Sequence, residues 1–124
     1  NYPRNTYYQG HLIMILLHQG RFRKVREITK NMDNQRNIYA RMVRETATAF
    51  LTEKETDRLD LARKKYLRVI ELAESIGPFA DRFQAIAFMG LSRISERDGQ
   101  GFDALRYRRK ASRYTSFNFI LNET

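Results

Sequence analysis

His11 and His18 stand seven residues apart, and a helix of 3.6 residues per turn returns to nearly the same side after two turns. Two imidazoles on one face could ligate a metal, but they are not an i, i+4 pair, and no carboxylate falls in that segment to complete a tetrahedral set. They read as solvent- or groove-facing side chains. Glu53 with Glu55, and Glu71 with Glu74, have the spacing of paired carboxylates, but they sit among Lys and Arg and read as solvated surface. The stretch Gly99-Gln100-Gly101 lacks the Lys-Ser/Thr that a phosphate-cradling loop requires. Ser92, Ser95, Ser112 and Ser116 have no neighbouring His that could serve as base. With no Cys at all, a thiol nucleophile, a thiolate zinc site and a disulfide framework are excluded. The expectation is a protein that is not an enzyme and has no catalytic residues, no metal and no cofactor.

Binding is the better-supplied chemistry. The chain sets 23 Lys+Arg against 14 Asp+Glu, a net charge of +9, and 17 of the cations are Arg. Arg favours planar, bidentate contacts with carboxylate or phosphate, so acidic peptides and nucleic acids are the partner classes to weigh. The longest apolar run, Leu12 to Leu17, is too short to span a bilayer, and no signal-peptide pattern follows Asn1. The chain reads as cytoplasmic and, lacking an initiator Met, as a piece of a longer protein.

These residues are carried on helical segments. Breakers fall at Gly20, the polar stretch from Thr52 to Asp57, Gly77-Pro78, and Gly99 with Gly101, and no stretch shows the alternation of a half-buried strand. Six helices are expected, over about 6–19, 21–32, 35–51, 57–76, 79–98 and 102–115. The fourth carries the cleanest stripe, Ala62, Tyr66, Val69, Ala73 and Ile76. The first, and the fifth with Phe79, Phe83, Ile86, Phe88, Met89 and Leu91, are apolar on more than one side and should be covered twice. Tyr107 and Tyr114 fall on the apolar side of the sixth helix. Short connections pair the helices into three antiparallel hairpins, about 6–32, 35–76 and 79–115, within a single domain 1–124. Val25, Ala62 and Ala104, near the starts of the second members, recur after 37 and 42 residues, the interval of helical repeat arrays.

The third hairpin carries Phe88, Leu91, Ser92, Ser95, Gly99, Ala104, Arg108 and Ala111. The first carries Leu12, Leu16, Gly20, Phe22 and Val25, and the second Val43, Ala47, Phe50, Ala62, Tyr66 and Val69, without a turn Gly. This pattern resembles the tetratricopeptide repeat family, whose unit is a helix–turn–helix of about 34 residues. The resemblance implies an all-α solenoid acting as a protein-binding scaffold. A plain helical bundle or another helix-pair repeat accommodates the same periodicity.

The resemblance also implies that the first helix of each hairpin lines a concave groove. The exposed positions would be Tyr7, His11, Met14 and His18, then Arg41, Arg44 and Thr48, then Met89, Arg93, Glu96 and Arg97. Such a groove is basic with apolar patches and suits a carboxylate-bearing peptide or partner protein, with Arg41, Arg44, Arg93 and Arg97 as anchors. Ordinary solvation of helix surfaces accounts for the same arginines. The five positions at which some family members clamp a peptide C-terminus hold Gly10, Met14, Glu45, Ile86 and Gly90 here, so that specificity is not expected. The alternative is phosphate binding on the outer helices, through Arg23, Lys24, Arg26 and Lys30, then Arg63, Lys64, Lys65 and Arg68, then Arg106, Arg109, Lys110 and Arg113. A third reading is purely structural. Phe117, Phe119, Ile120 and Leu121 would then cap the array or meet neighbouring domains or a second copy.

Overall fold

The computed structural model describes residues 4–32 and 37–114, with side chains from Tyr8 onward. The expected cap of Phe117, Phe119, Ile120 and Leu121 lies outside the described residues. Six helices follow one another: α1 (Arg4–His18), α2 (Phe22–Asn31), α3 (Ile38–Glu55), α4 (Leu59–Ile76), α5 (Asp81–Arg97) and α6 (Gly101–Ser112), with one 3-10 turn at Pro78–Ala80. The described residues are all-helical, without strands.

Local chemistry explains the boundaries. Asn37 caps α3 by accepting a hydrogen bond from the Ala40 backbone N–H at 2.7 Å, satisfying one of the free donors of the first turn. Gly77 ends α4 at φ 98°, ψ −152°, a conformation open to glycine and closed to residues with a Cβ. The chain then restarts through Pro78. Two threonines are buried inside helices because each hydroxyl donates to its own helix: Thr29 to the Val25 carbonyl at 3.0 Å and Thr46 to the Met42 carbonyl at 2.8 Å.

Every helix packs on its successor, most extensively α3 on α4 and α5 on α6, and α1 also meets α3 and α3 meets α5. One continuous core results, with Ile13, Met42, Val43, Tyr66, Phe83, Met89 and Leu91 fully buried. Helix α5 is buried on nearly every side, as its composition requires, whereas Phe79, expected on its apolar face, is exposed in the 3-10 turn. Helix α1 buries Ile13, Met14, Leu16 and Leu17 but leaves Ile15 exposed. Phe88 stacks on Tyr107 and Tyr114, with centroids 6.2 and 5.8 Å away, which joins α5 to α6.

One boundary departs from expectation with a physical consequence. The polar stretch beginning at Thr52 does not break α3, which runs on to Glu55. The extra turn carries Glu53 into the interior, where it is 3% exposed, so this carboxylate is no part of a solvated pair with Glu55.

Candidate functional site

Glu53 is held from two other helices. Arg93 of α5 grips it with two hydrogen bonds, Nε to Oε2 at 2.7 Å and an Nη2 contact to Oε1 at 2.9 Å. Tyr66 of α4 donates its phenol to Oε1 at 2.7 Å. Burial pushes the Glu53 carboxyl up, but the hydrogen bonds and charge of Arg93, the Tyr66 hydroxyl and nearby Lys54 outweigh it and hold its pKa below the ordinary carboxylate value. The Arg93 side chain is only 13% exposed. Its guanidinium, expected to be a groove anchor, is thus committed inside the protein.

The neighbouring surface is a cleft of about 850 Å³ between α1, the turn into α2 and parts of α3 and α5. Helix α1 contributes His11, Met14 and His18, the seven-residue spacing placing both imidazoles on the same wall. Phe22 opens α2 and meets Phe50 of α3 at 6.0 Å between centroids, forming the apolar floor. Lys54 lies one turn beyond Phe50, with its ammonium 5.4 Å from that ring, and Arg82 enters from the start of α5. Among the described residues no carboxylate lines this cleft. It can receive an apolar side chain and place an anionic group among cations.

Of the residues expected in the groove, His11 and His18 border the cleft and Tyr7 lies outside the side chains described. Arg41, Arg44, Thr48 and Arg97 do not border it. Arg41 and Arg97 are exposed, Arg44 is half-buried, and Thr48 donates its hydroxyl to the Glu45 carbonyl at 3.2 Å. Met89, expected to face the groove, is buried because α5 is covered on that side too. Phe22 and Phe50 were expected only as positions of the helix-pair pattern, and Lys54 and Arg82 were not expected at a site. Phe50 and Lys54 share a face at i, i+4, but only the packing of α1 and α5 shows that this face opens on a cleft.

The alternative phosphate-binding set lies together on α6. Arg109 and Arg113 are exposed, and Arg106 is held by Asp103 at 2.8 Å. Lys110 is half-buried, its ammonium 5.8 Å from the Phe88 ring. Among the described residues no group of three His, Asp or Glu could hold a metal ion, and no helix is long and apolar enough to cross a membrane.

The chain matches no family model, no curated protein and no solved structure.

Proposed function

We propose that the chain is a non-catalytic interaction module built of tetratricopeptide-like helix pairs, binding a segment of a partner protein that carries carboxylates beside apolar residues. The observation that carries this reading is the composition of the cleft: Lys54, Arg82, His11 and His18 around Met14, Phe22 and Phe50, with no acidic residue among the described residues of its walls. Charged hydrogen bonds at partly desolvated sites favour an anionic guest, and the aromatic floor supplies apolar area. The packing of α1 on α3 and of α3 on α5 supports the repeat reading, since stacked helix pairs bring their first helices side by side.

A displayed library of random and acid-enriched peptides, selected on the intact chain, tests it. Enriched peptides should combine Asp or Glu with aromatic or long aliphatic residues. Lys54→Ala combined with Arg82→Ala should weaken them by about tenfold or more, given roughly 1.5 kcal/mol for a hydrogen bond to a charged group. Equal affinity for the wild type and the double variant, with helicity unchanged, would exclude the cleft.

A further inference from the structure

The outer helices differ in how their cations are answered. On α2, Lys24 pairs with Glu27 and Arg26 with Glu55. On α4, Arg63 pairs with Asp98, Lys65 with Glu45 and Arg68 with Glu71. On α6 only Asp103 replies, to Arg106, and Arg109 and Arg113 have no carboxylate within ion-pair distance among the described residues. By the same measure Arg23 and Lys30 on α2 and Lys64 on α4 also lack a carboxylate partner among the described residues, so α6 carries the largest share of this unanswered surplus rather than all of it.

That surplus is ordered. Phe102, Arg106, Arg109 and Arg113 follow one another at steps of four, three and four, so they form a single file along the helix, one turn or about 5.4 Å apart. The opposite face, with Ala104 and Ala111, is buried. At the head of the file Phe102 is 93% exposed, and Leu105 beside it is also exposed. A concavity of about 510 Å³ runs along this face, with Asp103 as the one carboxylate among its described lining residues. Exposed apolar residues scattered singly need no explanation. An open aromatic ring continuing a row of cations has one in the chemistry of single strands, where phosphates follow cations and bases stack on aromatic faces.

We infer that the outward face of α6 binds single-stranded nucleic acid, with Arg106, Arg109 and Arg113 along the phosphates and Phe102 against a base. A second copy of this face would bring like charges together, and two apolar side chains at one end of the file give a lipid surface little to hold. The linear order of the cations matches the linear charge of a strand. The face is separate from the cleft, and the two sites stand or fall independently. Binding would be largely indifferent to sequence, because phosphate contacts and stacking carry little base information.

The test is fluorescence anisotropy of a labelled dT12 oligonucleotide with the intact chain over a range of NaCl concentrations. Arg109→Glu with Arg113→Glu should weaken binding by at least about tenfold and flatten the slope of log affinity against log salt by about 1.4, at roughly 0.7 per phosphate contact on a single strand. Phe102→Ala should weaken binding by about fivefold or more without changing the slope, as a stacking contact does. Charge reversal of Arg23 and Lys24 on α2 serves as the control, and circular dichroism checks that each variant keeps its helices. No binding of dT12 at low salt, an equal loss in the α2 control, or capture by phosphatidylserine vesicles but not by dT12 would each overturn the assignment.

Discussion

Tyr66 lies flat against the backbone of Gly90, so close that a Cβ at that position would stand 2.3 Å from the ring Cζ. The ring cannot swing aside freely, because its hydroxyl is tied to the buried Glu53 carboxylate at 2.7 Å. Gly90 thus sets how near α4 and α5 approach. Ala is the better helix former by about 1 kcal/mol, but overpacking a tight contact costs about 1–3 kcal/mol and should prevail. Gly90→Ala is expected to lower the urea midpoint, and Gly90→Ala with Tyr66→Leu should recover part of the loss. A single variant as stable as the wild type would mean that the helices separate at little cost.

Arg93 and Glu53 should behave as a unit. Replacing Arg93 by Leu leaves a buried carboxylate without its main partner, a change that costs about 3–5 kcal/mol. Converting both residues to Leu removes the orphaned charge as well, and the double variant is expected to regain most of that stability. Additive losses in a double-mutant cycle would contradict the coupling. The same cycle separates structure from binding: if Arg93 were chiefly a partner anchor, its replacement would leave the unfolding transition in place.

The pair also sets a pH dependence. The folded-state pKa of Glu53 lies below its ordinary value of 4.5, so as pH falls the unfolded chain takes up the proton first. The stabilisation is therefore complete above about pH 4.5 and is withdrawn as pH drops through the lower, folded-state pKa. The stability difference between the wild type and Glu53→Gln should narrow on acidification from pH 6 to pH 3, read from urea denaturation. A difference constant across that range would assign the acid sensitivity to other carboxylates.

The cap of α3 offers a local check. Asn37→Ala removes the acceptor for the Ala40 N–H and should destabilise by about 1 kcal/mol. Asn37→Asp or Asn37→Ser should restore most of it. Thermal melts of the three variants distinguish loss of the cap from a general effect of substitution at that position.

Helix type was legible because the apolar stripes of α4 and α5 are long and periodic, and the stop at Gly77-Pro78 is chemically unambiguous. The end of α3 was not, since the polar run Thr52-Glu53-Lys54-Glu55 argues for surface when each residue is taken alone. Register carries the missing signal. Continuing the stripe of Val43, Ala47 and Phe50 by three residues lands on Glu53, and continuing Ile86 and Gly90 on α5 by three lands on Arg93. An acid and a base, each in phase with an apolar stripe, are candidates for one another. The cleft was legible only in part: the spacing of His11 and His18 marks one wall, whereas Phe50, Lys54 and Arg82 converge on it through packing between helices distant in sequence.

The burial of Glu53 also bears on modularity. Helix pairs joined only by interchangeable apolar contacts can be duplicated, deleted or shuffled, with each joint much like the next. Here the acid sits on α3, its base on α5 and the hydroxyl that completes the cluster on α4. Excising the last helix pair would remove both the partner and the cover of Glu53, and inserting another before it would part Glu53 from Arg93. The joint between the second and third pairs is keyed, and any transplant of either half must carry its matching residue with it.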